Sequence, residues 1–395
     1  MRLLTLPLLL LLLTACSSNP ASSSRSVPAY RVPFEVAGEH IYLNVSLNGT
    51  SPRWYALDSG SQYTIVSQSQ AAELALTPQQ NIQIKGIGTK LIPATVASGV
   101  TLTLAGANWS TSEVVAMPPS FFSSLQQYLG REFSGIIGSD FFDRFVVEVD
   151  YTTQTIHLYD PKTYRYQGTG QQIPLMFNRQ KPYVTGTVQV APQQQFKGQF
   201  LIDLGSGSAL DLNEPLTTQV FEELSRQPAL PRVTLGVGGE KKVQIGRMQR
   251  LEIGDLSINA PITEFSLDQP PKQQKISGRI GGEILSQFRV ILNYKRKRLI
   301  LEPQSPGKTD YDMSGLWLKT EGPPFKQVLV DQVFAKSPGA VAGMKVGDRI
   351  LSIDAQQNLS VSQVREHLRS PGVRQLQIQR DGQKQQIQLQ LKPLI

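Results

Sequence analysis

The chain has 395 residues, 40% of them hydrophobic and 18% charged, with a formal net charge of +8. That balance excludes a disordered chain and a multi-pass membrane protein, and the length exceeds what one hydrophobic core holds, so two or three domains are expected. Cys16 is the single cysteine, which excludes a disulfide framework and a cysteine-based zinc site; His40, His157 and His367 share no ligand spacing, so neither metal nor cofactor is expected. The positive charges are mostly scattered, which suits solubility and gives no reason to expect a nucleic-acid partner.

The chain opens on "MRLLTLPLLLLLLTAC": one basic residue, a Leu run, then small residues before the cysteine. The run is too short to span a bilayer comfortably and has the shape of a signal-peptide core. "LTAC" (13–16) resembles the lipobox of bacterial lipoproteins, which implies that residues 1–15 are removed and Cys16 carries lipid. A plain secretory signal with an unrelated cysteine is the other reading. Ser17, where an aspartate would retain the protein, implies by the same resemblance an outer-membrane location facing the periplasm, with the membrane as partner through the anchor. Residues 16–29, rich in Ser, are expected to form a flexible tether.

From residue 30 the pattern is that of strands. "IYLNVSLNG", "VTLTLAG" and "YVTGTVQVA" alternate with period two between Gly, Asn, Pro and Ser punctuation, and "SQSQAAELAL" and "EPLTTQVFEELSR" read as short helices. The segment 134–159 aligns without gaps to 277–302, a constant offset of 143 residues. Upstream of each copy lies an apolar strand ending in Asp-x-Gly-Ser: "WYALDSGSQYTIVS" with Asp58, and "FLIDLGSGSALDLN" with Asp203. Asp58 precedes Gly138 by 80 residues and Asp203 precedes Gly281 by 78. One such turn would be ordinary β-turn chemistry; an ordered pair of motifs repeated at nearly equal spacing marks a duplication. Between the motifs of each half sits a glycine-rich stretch, "KGIGTK" and "LGVGGEK". Neither has the Gly-Lys-Ser/Thr ending of a phosphate loop.

The duplicated Asp-x-Gly-Ser and apolar Ile-Gly halves resemble bilobal aspartic proteases of the retropepsin-like bacterial group, over roughly residues 30–305. The resemblance implies a mainly β, double-barrel fold with one lobe at 30–162 and a second at 163–305, each contributing one catalytic aspartate, Asp58 and Asp203. Gly60 and Gly205 allow the tight turns and let amides approach the acids. By resemblance, the hydroxyls of Ser61 and Ser206 bond the outer carboxylate oxygens, and Ser59 reaches across to the other lobe. Gly86, Gly88, Gly236, Gly238 and Gly239 fall where two hairpins would act as flaps that exclude water. Leu204 and Arg279 depart from the family pattern, which has Thr or Ser after the acid and an apolar residue two before the later glycine. The basic run at 295–298 falls at a hairpin tip and reads as a solvated turn.

After Pro306 the register changes. "VLVDQVFAKSPGAVAGMKVGDRILSIDAQ" and a closing Arg-Asp-Gly hairpin resemble a bacterial PDZ domain over 310–395. Gly315, Leu316, Trp317 and Leu318 would then form the carboxylate-binding loop and the edge that pairs with a C-terminal peptide. A packing module that buttresses the second lobe is the alternative. Together these features lead to a lipid-anchored aspartic endopeptidase of the cell envelope acting on proteins or peptides. Leu204 keeps open a catalytically inactive peptide-binding or scaffolding lipoprotein.

Overall fold

In the computed structural model, residues 26–88, 90–213, 216–266, 276–305 and 310–395 are described. The signal segment 1–15, Cys16 and the tether as far as residue 25 lie outside the described residues.

The duplication is visible in the topology. Strand His40–Leu47 turns through Asn48 and Gly49, both at positive φ, into Arg53–Leu57, the geometry an Asn-Gly hairpin favours. Arg53–Leu57 runs parallel to Gly135–Ile137, which also pairs with Ile65–Ser67. The second half repeats this with Lys181–Ala191, Gln194–Ile202, Gly278–Ile280 and Leu210–Leu212. Each half forms a ten-stranded sheet, and the two sheets follow the same strand path. The halves are joined by a six-stranded sheet with three strands from each. At its centre Val146–Asp150 pairs with Phe288–Asn293, Val147 opposite Leu292 and Val149 opposite Val290. These residues are fully buried, and each such side chain removed from water stabilises the joint by about 1.5–3 kcal/mol.

The double barrel expected from the sequence is not formed; the fold is mainly β with open sheets. Closing a barrel requires the first and last strands of the path to pair. In the first lobe the path starts at Pro78–Ile84 and ends at Ala107–Ser110; in the second it starts at Leu230–Gly236 and ends at Leu256–Asn259; neither pair of ends meets. The starting strands belong to the glycine-rich hairpins, whose tips bond to each other across the lobes instead. The basic run at 295–298 is exposed in the turn after Phe288–Asn293, and Lys295 pairs with Asp143 at 2.7 Å.

The C-terminal module is a second sheet system in which Leu316–Thr320 is an edge strand. Its Gly-Asp motif has a structural reason. The buried Asp348 accepts Lys345 N at 2.8 Å and two bonds from Arg380, each 2.7 Å, fastening the turn to the closing hairpin. Ser337 and Ser360 cap the two helices, Pro338–Val341 and Val361–His367. Helix Pro119–Leu129 of the first lobe has Pro at its first position and Gly130 in the left-handed conformation at its end. It lies against both the edge strand and helix Val361–His367.

Candidate active site

The two repeated turns meet. Asp58 N donates to Ile137 O and Asp203 N to Ile280 O, both at 3.0 Å, so each acid is fixed by the short strand of its own lobe. Gly60 N donates to Asp58 Oδ1 at 2.7 Å and Gly205 N to Asp203 Oδ1 at 3.0 Å. Each glycine also faces the opposite acid: a Cβ on Gly205 would stand 2.3 Å from Asp58 Cγ, and one on Gly60 2.8 Å from Asp203 Cγ. No side chain fits there, so glycine is required by close approach as well as by the turn. This crossed packing brings the two turns, and the acids they carry, close together. Burial, then the charge and hydrogen bond of Asp203, push the Asp58 carboxyl up to about 8, against a weaker pull from Lys181 and the Gly60 amide.

One lobe clamps the other. Ser59 Oγ donates to Ile202 O at 2.8 Å and accepts from Leu204 N at 3.0 Å. Leu204 is 0% exposed and packs in the core, returning no such bond. The hydroxyls of Ser61 and Ser206 are directed elsewhere than expected. Ser61 Oγ donates to Tyr63 O, and Ser206 Oγ pairs with Ser208 Oγ, each at 2.8 Å, because those partners lie two residues ahead in the same turn.

The two glycine-rich hairpins meet each other across the lobes. Gly88 N donates to Val237 O at 2.9 Å and Lys90 N to Gly238 O at 3.1 Å, so the tips interlock backbone to backbone. A Cβ on Gly88 would lie 2.1 Å from the carbonyl carbon of Gly238. Gly86 packs against Val237 and Gly236 against Ile87, while Gly239 faces open space.

The register also assembles a charged cluster. Arg279, in the middle of Gly278–Ile280, donates from Nη1 to Asp203 Oδ2 at 3.2 Å and from Nε to Asp211 Oδ2 at 2.7 Å. Asp211 pairs across the sheet with both Arg279 and Glu264, and Arg232 lies 3.6 Å from Glu264. Burial raises the Glu264 carboxyl to about 7; Arg232 pulls it down and Asp211 pushes it up. In the first lobe the same register positions hold Ile136, Ile65 and Val115, part of an apolar cluster. A polar Asp inside the apolar "LDL" and an Arg inside "GRIG" were the sequence signals for this cluster; neither says that the two meet.

In the C-terminal module, Gly315 has φ +66° and Leu316, Trp317 and Leu318 are buried. The loop is already engaged: Ser314 N donates to Asp312 Oδ1 at 2.8 Å and Leu316 N to Ser314 Oγ at 3.1 Å. Trp317 stacks on Tyr128 of the first lobe at 4.5 Å. Arg365 sits over Tyr128 and donates to Leu318 O at 2.7 Å, and Thr320 Oγ1 donates to Gln127 O at 2.9 Å. A surface cleft of about 710 Å³ lies elsewhere, between Tyr63, Glu113, Arg144 and Lys162, and includes neither Asp58 nor Asp203.

Residues 43–141 match the family described as aspartyl protease, a stretch that holds the Asp58 turn and the Ile137–Gly138 segment. The chain thus contains an aspartyl-protease-like domain. Residues 329–380 match the PDZ domain family, so the chain also contains a PDZ domain. No curated protein matches the chain.

Proposed function

We propose that this chain is an aspartic-type endopeptidase of the bacterial cell envelope, tethered by a lipid on Cys16 and acting on proteins or peptides, with a PDZ domain that takes peptide segments or C-terminal tails. One juxtaposition supports the peptidase reading above all: two aspartates from duplicated turns are brought together, each facing the glycine of the other lobe's turn. Two carboxyl groups this close cannot both ionise comfortably, so the pair keeps one proton over a broad pH range. With a water between them, the ionised member takes a proton from the water and the protonated member hydrogen-bonds the scissile carbonyl oxygen. The water oxygen bonds to the carbonyl carbon, giving a diol that collapses as the C–N bond breaks and the amine is protonated. The Ser59 clamp and the Gly60 and Gly205 amides hold the geometry, and the joined hairpins would serve as flaps that exclude competing water.

The test is hydrolysis of peptide and protein substrates by the purified chain across about pH 3–8, the span over which a coupled pair can hold one proton. Asp58→Asn and Asp203→Asn should each lower turnover by about 10²–10⁴-fold, and the double variant should lose little more. An inert native chain, or activity that survives both changes, overturns the reading. Cys16→Ser should move the protein from the membrane to the soluble fraction, since lipid chains would be its only anchor; retention on the membrane refutes the tether.

A further inference from the structure

We infer that Arg279 is a positioning residue that assigns unequal roles within the acid pair, holding the negative charge on Asp203 and leaving the shared proton on Asp58. The assignment rests on the peptidase reading above and refines it. Its basis is the fork of the guanidinium, Nη1 on Asp203 Oδ2 and Nε on Asp211 Oδ2, which ties Arg279 to its own lobe. Asp203 therefore has a donor on each oxygen, Gly205 N on Oδ1 and Arg279 on Oδ2. Asp58 has the Gly60 amide on Oδ1, and no salt bridge reaches it among the described residues. A charge-assisted bond favours the ionised acceptor, so the carboxylate belongs on the Arg279 side.

The other groups facing the pair do not reverse this. Lys181 acts on Asp58, but more weakly than burial and Asp203 do. His40 faces Asp203, and burial lowers its own pKa, leaving it neutral more readily. Burial keeps the phenols of Tyr183 and Tyr294 protonated beside the pair. Behind Arg279, Asp211 holds the guanidinium in place, and Glu264 lies next to Asp211 across the sheet. In the first lobe Ile136 occupies the Arg279 position, so the strand Gly135–Ile137 offers Asp58 no matching cation.

The roles then separate. Asp203 accepts the proton of the attacking water while Asp58 gives its proton to the carbonyl oxygen. On collapse Asp203 passes its proton to the leaving nitrogen and a diol hydroxyl returns one to Asp58, restoring the starting state.

The test is the pH profile of kcat/KM for the full chain and for Arg279→Gln and Arg279→Lys. Without the cation, the ionisation that creates the working state needs a higher pH. Arg279→Gln should therefore move the acid limb upward by about 1–3 pH units, and Arg279→Lys should recover most of that shift. A loss of rate that is uniform at every pH, with the limb unmoved, overturns the assignment. A second measurement needs no activity. Asn is a neutral counterpart of a protonated Asp, so Asp58→Asn should lower the Tm less than Asp203→Asn, which strands Arg279; equal losses, or the reverse order, also overturn it. An inert native chain sinks the peptidase reading, while the melting comparison still decides whether Arg279 holds the charge on Asp203.

Discussion

Strand for strand the two lobes follow one path, yet the residues behind their aspartates belong to different chemistries. In the first lobe Ile136, Ile65 and Val115 join an apolar cluster that also receives Tyr63 and, from the other lobe, Val237. In the second lobe Arg279, Asp211 and Glu264 replace them, the two acids buried, Arg279 partly buried and bonded to Asp211. The duplication has kept backbone geometry, down to matching 3.0 Å bonds that fix Asp58 and Asp203, while side-chain environment diverged. A buried ion cluster adds little net stability over apolar residues of similar volume, but breaking it is costly. The difference between the lobes therefore bears on the charge of the site more than on the strength of the fold.

The largest effect should come from destroying what the lobes share. Gly205→Ala, which places a methyl 2.3 Å from Asp58 Cγ, and Gly60→Ala, at 2.8 Å from Asp203 Cγ, should each separate the acids and lower kcat by about 10²-fold or more. The Gly205 variant should be the worse of the two; near-native turnover in either would mean the acids do not approach this closely.

Making the second lobe resemble the first comes next. Arg279→Ile alone leaves buried Asp211 without its cation and should cost about 3–5 kcal/mol in urea unfolding. The triple change Arg279→Ile, Asp211→Ile, Glu264→Val should restore most of that loss, because Arg232, left over, is partly exposed. A triple variant no more stable than the single one would refute the register equivalence of the two clusters.

A pH titration of stability is a milder probe. Glu264 is raised to about 7 in the folded state from an ordinary value of 4.5. The folded state thus binds more protons between those values, and the contribution of Glu264 is complete below the lower one and lost as pH rises through the upper. Stability should fall over that window with a slope of up to about 1.4 kcal/mol per pH unit from this residue, and Glu264→Gln should flatten it; an unchanged slope removes Glu264 as its source.

The smallest effect is expected at Leu204, where the lobes differ in their clamp. The lobes are covalently joined and Ser59 already bonds Ile202 and Leu204, so Leu204→Thr should change turnover by less than about tenfold, equivalent to about 1.4 kcal/mol. Activation from an inert native chain would instead favour the inactive-lipoprotein alternative.

Most of this architecture was legible in the chain because its signals are local. The Asp-x-Gly-Ser turns, the later Ile-Gly segments, their offset and the Gly-Asp turn near Asp348 each occupy a few consecutive residues. Helix Pro119–Leu129 carries equally local signals, with Pro119 at its start, Gly130 at its end and Phe121, Phe122, Leu125 and Leu129 on a helical repeat. What local pattern could not supply was assembly at a distance. Arg279 meets Asp211 across 68 residues, the hairpin tips join the two lobes, and the sheet ends remain apart instead of closing barrels. The Ser61 and Ser206 hydroxyls turned away for a short-range reason, a nearer acceptor or hydroxyl within the same turn.

The stacking of Tyr128 on Trp317 has a consequence for any peptide that the PDZ domain meets. Under the peptide-binding reading, the helix beside the edge strand, tethered to it by the chain itself, would compete at a fixed local concentration that dilution does not reduce. An external tail would then see only the fraction of molecules in which this internal neighbour has moved aside, and its apparent affinity would fall by that fraction. A population open one time in a hundred weakens binding about a hundredfold. Tyr128→Ala should raise the affinity for a C-terminal peptide, as measured by titration calorimetry. The contact would work in both directions: a tail tight enough to displace the helix would also shift the segment that carries Phe121 and Phe122, and so disturb the apolar cluster they belong to in the first lobe.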